Sequence, residues 1–559
     1  MRKSGAAWRN IAAAVLLPVI FALVLTLMFP VYFHWDDVDY LHWARRHPNP
    51  LAVFHPSSTL FGTFRPMLLL TWWTQFRLFH LESPYYQFIL SFLYGSSFVL
   101  FYMFLRRLYN ARAALMSLAG YVVVFFPLGY IIFWYSDLSF VQELFWIQAS
   151  LVLLHLALVD RGKRYLWGLP CYLMAFLSKE PSIIIVTSTL VLITWARWKE
   201  LPDWARRRMT WLLPVIGLSG MIWLLVSPAP SSRQGILDTQ SLSDALAYAV
   251  ERWHFYAGHL MAHGGFLLWA SVFFLLGTSL LGKRRLNGAS GSSRPLNGGL
   301  ALLLLVVSVA VSFLLRREPG AALVVLLVAG IATSLLRREV APGMAWGFLL
   351  LLALMGVNGH VRTYLVESSF GFAIVLGLAG DEIARSLPLI RRVQASRALK
   401  IAGAATAVAL MAFAVSSGPA KSKLRALEIV SANRQNFREI TEYLVAHPPS
   451  PDTRIAVVNY SDMDLGYRRG ILAMPDEQKG GLQKTIEPHA IPLWLDLNGV
   501  PGIEVYITMK DYFEDPADSC YLWIMNNHEK KYVDGLGLEM DLLFETRRRG
   551  EGAWLYRLR

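Results

Sequence analysis

Cysteine is almost absent from this chain, and charged residues are scarce. Only Cys171 and Cys520 occur among 559 residues, which excludes a disulfide framework and a thiolate metal site. Charged residues make up 16% of the chain, whereas a soluble domain devotes about a quarter of its residues to charge. With 55% hydrophobic residues and a mean hydropathy of +0.41, the composition indicates a protein whose main solvent is lipid.

The basic excess does not predict nucleic-acid binding. The net charge is +14, but Lys and Arg occur in short runs between apolar blocks, where they determine membrane topology. The polar C-terminal part contains no nucleotide-binding loop, zinc spacing or nucleophile elbow. We therefore expect a lipid bilayer, and no nucleic acid, among the partners.

Apolar blocks close to the length of a membrane span recur along the chain. A hydrocarbon layer of roughly 30 Å requires about 20 helical residues, so the pattern predicts an all-α polytopic bundle of about 13 transmembrane helices. The predicted spans are 11–33, 85–105, 113–134, 139–159, 165–178, 181–196, 210–228, 258–281, 299–315, 321–336, 344–358, 364–380 and 401–417. The first block is too long for a signal peptide and lacks a cleavage site.

Three consecutive residues, Lys179, Glu180 and Pro181, interrupt the apolar stretch 165–196. One continuous helix would place two charges in the middle of the bilayer, which is costly. The sequence therefore predicts two short helices with these residues in a turn between them.

Loop charge predicts the topology. One set of alternate loops, which includes Arg2, Arg106 and Lys163, holds about 25 Lys and Arg, and the other holds about 10. The first set is predicted to be cytoplasmic, so the N-terminus lies in the cytoplasm and the C-terminus outside an inner or plasma membrane.

The chain changes character after about residue 420. An amphipathic helix is predicted over 421–445, strands over 455–460 and 503–509, and a hairpin at the C-terminus. We expect a membrane module over 1–419 and a soluble extracytoplasmic α/β domain over 420–559.

Acidic residues stand at the predicted outer edges of the bundle. Asp36 and Asp37 follow the first span, where a carboxylate can act as a base and two adjacent ones can bind a cation; a solvated loop start is the alternative. Asp137 lies in the second outer loop, or caps the helix that begins at Leu138. Glu143 falls within a span and must face protein or water.

Cationic side chains are predicted at the same edges. Arg65 can bind a lipid phosphate through its planar guanidinium, although an Arg that merely reaches the interface is commoner; the stretch 64–80 is too short and polar to span. Lys179 and Glu180 either bind a substrate or pair with each other. His259 and His263 have i, i+4 spacing, but two histidines are weak support for a metal site.

Four segments in one order resemble a known family. They are HWDD after the first span, FRPMLLLTWW with LESPYYQFILSFLYG, AFLSKEPSIII, and HVRTYLVESSFGFAIVLG. Over about the first 380 residues the chain is similar to the membrane-embedded GT-C glycosyltransferases that use polyprenyl-phosphate sugars. The protein O-mannosyltransferases and aminoarabinose transferases are its nearest branches. The C-terminal part resembles no family.

The resemblance implies roles for individual residues. Asp36 or Asp37 would be the catalytic base and Asp137 a second acid. Arg65, Lys179 and Arg362 would bind the carrier phosphate. Tyr364 would line the same cavity as Arg362. From the residues alone, Glu180 and His259 are further candidates for the cavity lining, and His259 is otherwise structural. Some members hold a divalent cation and others none, so the resemblance leaves open a cation on Asp36, Asp37 and Asp137 and requires no other cofactor.

The resulting hypothesis is an inverting transfer of a sugar from a polyprenyl-phosphate donor to a hydroxyl of a protein, lipid or glycan. The WWDxG element of oligosaccharyltransferases is absent, and so are tetratricopeptide repeats. The alternatives are a multi-pass transporter or lipid-linked sugar flippase, which would have discontinuous helices in two similar halves, and a scaffold whose soluble domain binds a partner.

Overall fold

The structure is a computed structural model, and its described residues fall into a helical part and a small C-terminal sheet. It describes residues 15–27, 32–33, 36–55, 58, 64–122, 135, 138–226, 242–260, 266–286, 298–315, 318–355, 365–386, 432, 435–450, 453–458, 490–501, 503–507, 520–524, 530, 533–535, 537–548 and 550–559.

The helices and strands are numbered in chain order. The helices are α1 Val15–Leu27, α2 Asp36–Arg46, α3 Pro66–Phe79, α4 Ser83–Leu108, α5 Ala111–Gly120, α6 Leu138–Leu154, α7 Leu156–Val159, α8 Gly168–Ser178, α9 Ser182–Arg197, α10 Asp203–Val226, α11 Leu242–Leu260, α12 Phe266–Leu286, α13 Gly298–Leu315, α14 Pro319–Leu336, α15 Ala341–Met355, α16 Leu365–Ser386, α17 435–446 and α18 Ala490–Leu497. The strands are β1 Arg454–Val458, β2 Glu504–Ile507, β3 Cys520–Ile524, β4 Met540–Arg548 and β5 Glu551–Leu558.

Several helices have the length and composition of membrane spans. Within the described residues, three segments are long and apolar enough to cross a bilayer: Ser83–Leu108, Leu138–Val159 and Pro319–Leu336. Shorter apolar helices accompany them, among them α1 and α9. The chain is an integral membrane protein. The number of about 13 spans stays a prediction, since the span predicted at 401–417 lies outside the described residues.

The predicted interruption at residues 179–181 is confirmed. Helix α8 ends at Ser178, and α9 begins at Ser182. Lys179 between them has extended backbone, with φ −167° and ψ 140°. Pro181 cannot donate a backbone hydrogen bond to a preceding turn, which favours a helix start at this point. The break places Lys179 and Glu180 in the turn.

The residues after the first predicted span form a helix, which the sequence interpretation treated as a loop. Asp36 and Asp37 begin α2, where negative charge is favourable because the helix dipole is positive at its N-terminus. The Tyr40 ring stacks on the Trp72 ring of α3 with centroids 5.1 Å apart. Packing on α3 therefore stabilises a helix that is too short to be stable alone.

Close packing of α15 on α16 depends on glycine. A Cβ on Gly371 would lie 2.7 Å from the Gly343 carbonyl oxygen, so a side chain there would push the two backbones apart. Gly343 and Gly347 form a GxxxG motif of the kind that lets membrane helices approach closely. This contact fixes the position of α16, whose first turn carries Glu367.

The C-terminal domain contains a five-stranded mixed sheet of order β2-β1-β3-β5-β4. Strands β1, β2 and β3 are parallel, whereas β4 and β5 form an antiparallel hairpin that also pairs with β3. Helix α17 covers the sheet, with Phe437 stacked on Trp523 at 5.3 Å. The predicted terminal hairpin is confirmed, and so is the combination of helix and sheet, whereas an independent soluble domain over 420–559 stays a prediction. Strand β3 and helix α18 were not predicted.

Helix α18 of this domain packs against α2 and the residues before it. The Trp494 ring contacts the Tyr32 and Phe33 rings, with centroids 5.4 Å and 5.8 Å away. His42 Nε2 lies 3.1 Å from Asp496 Oδ2, and Arg45 donates to the Asp496 carbonyl at 2.8 Å. The boundary at residues 419 and 420 lies outside the described residues and stays a prediction.

Candidate active site

Lys179 lies in a buried cluster of acids. Its side chain is 4% exposed, and its Nζ atom lies 2.7 Å from Glu367 Oε1 and 3.9 Å from Glu143 Oε2. The ammonium also sits over the Phe140 ring, 3.0 Å from its centroid. The three charged groups come from α6, the turn before α9, and α16, so three distant segments converge here.

Arg65 joins the same assembly through the neighbour of Lys179. Its guanidinium lies 3.7 Å from Glu180 Oε2. Arg65 is the residue immediately before α3. We call Arg65, Glu143, Lys179, Glu180 and Glu367 the Lys179 cluster, and the end of the bundle where α9 and α16 begin the Lys179 end.

Asp37 lies on α2, which packs on α3, the helix that Arg65 immediately precedes. It stands in the first turn of α2 and has no solvent exposure. Helix α3 in turn accepts two hydrogen bonds from Gln142 of α6, one at the Met67 carbonyl and one at Thr71 Oγ1. Through α3, the helix that carries Asp37 is tied to the helix that carries Glu143.

Several predicted site residues lie outside the described residues. They are Asp137, Arg362 and Tyr364, together with the side chains of Asp36 and His259. Within the described ranges, no group of three His, Cys, Asp or Glu side chains is arranged to hold a metal ion. Because Asp36 and Asp137 do not belong to the residues searched, the cation site on the three aspartates stays a prediction.

The sequence interpretation did not assign a role to Glu367. The residue occurs in the fourth segment of the resemblance, but its pairing with Lys179 joins positions 188 residues apart. One signal was available: an ionisable residue near the start of a predicted span must face protein or water. The same rule was applied to Glu143, which the structure places in the same cluster.

Among the described residues, the Lys179 cluster brings together three carboxyl groups and two cationic groups, and both Glu143 and Glu367 are almost fully buried. Lys179 is already in contact with Glu367, whereas Arg65 is 20% exposed and lies farther from its acid. Of the two cations, Arg65 is therefore the better placed to meet a ligand that arrives from outside the cluster.

No family model and no curated protein matches the chain. Among solved structures, it is similar to ArnT from Cupriavidus metallidurans bound to undecaprenyl phosphate, with 13% identity, a TM-score of 0.35, and coverage of 99% of this chain and 98% of that one. The apo state of the same protein matches with 12% identity and the same TM-score. A likeness this low does not assign a function to this chain.

Proposed function

We propose that this chain is a membrane glycosyltransferase that moves a sugar from a polyprenyl-phosphate donor to an acceptor hydroxyl with inversion. The observation that carries the proposal is the convergence of Arg65, Lys179 and their acids, together with the packing of α2, which carries buried Asp37, on α3, which Arg65 precedes. A phosphate leaving group needs cations, and an attacking hydroxyl needs a base. Arg65 and Lys179 are the cations of the proposal, and Asp37 is its base.

The proposed reaction is a direct displacement. The Asp37 carboxylate accepts the proton of the acceptor hydroxyl as its oxygen forms a bond to the anomeric carbon. The bond from that carbon to the phosphate oxygen breaks, and its electron pair stays on polyprenyl phosphate. Arg65 can bind this phosphate with two parallel N–H groups. Lys179, which Glu367 holds at 2.7 Å, acts on it through its charge.

The orientation is part of the proposal. The Lys179 end and the C-terminal domain face away from the cytoplasm, as the loop charges predict. A single cysteine at Glu82, with Cys171 and Cys520 replaced by serine, tests this placement. We expect a membrane-impermeant maleimide to label Glu82→Cys in intact cells. Labelling only after the membrane is permeabilised would show that the Lys179 end faces the cytoplasm.

The test of the reaction uses the full chain in nanodiscs with lipid-linked sugars and acceptors extracted from the host membrane. Mass spectrometry follows the release of free polyprenyl phosphate. Loss of a general base typically costs about 10²–10⁴-fold, so we expect at least about a 100-fold loss in Asp37→Asn. The matched control is Asp39→Asn on the same helix, for which we expect a change of no more than about threefold.

Asp36 is tested in the same assay, because its neighbour is the alternative base. The assignment of the base would be refuted if Asp36→Ala and Asp37→Ala both retained full release of polyprenyl phosphate. Glycosyl transfer itself would be refuted if the wild type released none. Loss of polyprenyl phosphate release in Asp36→Ala alone would identify Asp36 as the base and leave the reaction class unchanged.

A transporter is the second candidate, because buried acid–cation clusters within a bundle also occur in proton-coupled carriers. Glu143, Lys179 and Glu367 form such a cluster. The two candidates predict different products. A transporter or flippase moves the lipid-linked sugar across the membrane intact. The enzyme releases polyprenyl phosphate even in detergent, where no membrane separates two compartments and transport cannot occur.

A further inference from the structure

A cavity lies where the C-terminal domain meets the helical bundle. Its volume is about 300 Å³, and its walls come from both parts of the chain. Tyr32 and Trp494 are buried at its base, while Glu82, Arg438 and Glu442 stand at its exposed rim and Asn498 is half-buried. We call this space the junction cavity. It does not include any residue of the Lys179 cluster.

The junction cavity belongs to the same end of the molecule as Asp37. Glu82 immediately precedes α4, and Tyr32 stands five residues before Asp37. Because a residue extends the chain by at most about 3.6 Å, the Cα atoms of Tyr32 and Asp37 are within about 18 Å. The contacts of His42 and Arg45 with Asp496 hold the far wall of the cavity against the helix that carries Asp37.

The rim has an excess of negative charge. Arg438 is already bonded to Glu442 at 2.7 Å, and Glu82 adds a second carboxylate that makes no capping bond to α4. One cation against two carboxylates repels a phosphate, so neither the donor's phosphate nor an anionic lipid headgroup fits here.

A neutral ligand rich in hydroxyl groups matches this lining. Carboxylates and the Asn498 side chain accept hydrogen bonds from hydroxyls, and the Arg438 guanidinium donates them. The aromatic base offers apolar contact for the C–H faces of a sugar ring. A volume of about 300 Å³ is at the lower limit of small-molecule sites, which suits a short saccharide rather than a folded domain.

We propose that the junction cavity binds a neutral saccharide portion of the acceptor. That the saccharide belongs to an acceptor rests on the proposed glycosyl transfer, whereas its binding does not depend on catalysis. The C-terminal domain then contributes half of an acceptor site whose other half is the segment before α4. The Arg438–Glu442 pair is exposed, and because exposed pairs contribute little to stability it can rearrange around a ligand.

The test measures binding to the full chain in nanodiscs by saturation-transfer NMR. The probes are maltose, cellobiose and N-acetylglucosamine at millimolar concentration, with glucose 1-phosphate as the anionic arm. We expect saturation transfer to at least one neutral saccharide. The variant is Glu82→Ala, which lies on an exposed rim, and loss of a hydrogen bond to a charged group should raise its dissociation constant roughly tenfold.

Two controls separate this inference from the proposed function. Glu200→Ala removes an exposed glutamate after α9, at the opposite end of the bundle, and should bind as the wild type does. Asp37→Asn should bind saccharide while it loses transfer. If the wild type releases no polyprenyl phosphate and binding persists, only the proposed function fails.

Three results would overturn the saccharide site. They are no saturation transfer to any of the neutral probes, an unchanged dissociation constant in Glu82→Ala, and binding of glucose 1-phosphate at least as tight as that of the neutral saccharides. The last result would identify an anion site.

Discussion

The two ends of α9 and α16 carry charged clusters of opposite character. These helices begin at the Lys179 cluster and finish at a second group of charges around Arg337, separated by about 24 Å of α9. At the Arg337 end, Arg337 contacts Glu339 and Glu382, and Arg112 and Arg385 contact Asp381, so three cations meet three acids. A cavity of about 580 Å³ lies among them.

Burial distinguishes the two ends. At the Arg337 end, Glu339 is 47% exposed, Arg385 is 51% exposed and Arg337 is 21% exposed. At the Lys179 end, Lys179, Glu143 and Glu367 are each 4% exposed or less. Exposed pairs contribute little to stability, whereas a buried charged cluster is costly and persists where chemistry requires it.

The largest difference between the two ends is expected on removal of one cation. Lys179→Met leaves two buried carboxylates without their ammonium, which should cost about 3–5 kcal/mol in the free energy of unfolding. Arg385→Met at the Arg337 end removes a cation that is 51% exposed and leaves Asp381 paired with Arg112, so it should cost about 1 kcal/mol or less. Detergent unfolding titrations measure both. Equal losses would show that burial does not separate the two ends.

The next difference lies within the Lys179 cluster. Glu367 is 2.7 Å from the ammonium and Glu143 is 3.9 Å away. Glu367→Gln should therefore lower the free energy of unfolding by about 1.5–3 kcal/mol, the range for hydrogen bonds to charged groups, and Glu143→Gln by less. Glu382→Gln at the Arg337 end is the matched control. A larger loss from Glu143→Gln would place the ammonium on the other acid.

An intermediate effect is expected at the contact between α2 and α18. Asp496→Ala removes the partner of His42, a bond worth roughly 1 kcal/mol. Amide hydrogen exchange over residues 36–46 should accelerate about fivefold, with Asp534→Ala in the same domain as the control. Unchanged exchange would mean that α3 alone holds the helix that carries Asp37.

The helix break and the terminal hairpin could be predicted because their signals are local. Lys179, Glu180 and Pro181 are adjacent, and the β4–β5 hairpin joins segments two residues apart. The α2 helix was missed for a different reason. A segment of 11 residues is marginal by itself, and the aromatic contacts that stabilise it come from α3.

Long-range pairing explains what the sequence could not indicate. Glu367 meets Lys179 across 188 positions, and His42 meets Asp496 across 454. Each partner is an ordinary ionisable residue in its own segment, so no periodicity marks the pair. Arg65 does lie beside Glu180, the neighbour of Lys179, because both stand at helix ends. A shared role of Arg65 and Lys179 in phosphate binding stays a prediction.

The smallest effect is expected at an exposed pair on the surface of the hairpin, where Arg559 is 62% exposed and Asp541 is 45% exposed. The Arg559 guanidinium holds the pKa of the Asp541 carboxyl below its ordinary value of 3.8. A carboxyl with a lowered pKa stabilises the fold above that value, and its contribution is lost as pH falls through the lower pKa. The stability of Asp541→Asn should therefore differ slightly from that of the wild type at neutral pH and converge with it in acid.

Hydrogen exchange of β4 and β5 measures this difference in stability, which added salt should also reduce. If Asp541→Asn destabilised the hairpin as strongly as Glu367→Gln destabilises the bundle, exposure could not be what separates the two kinds of charged group.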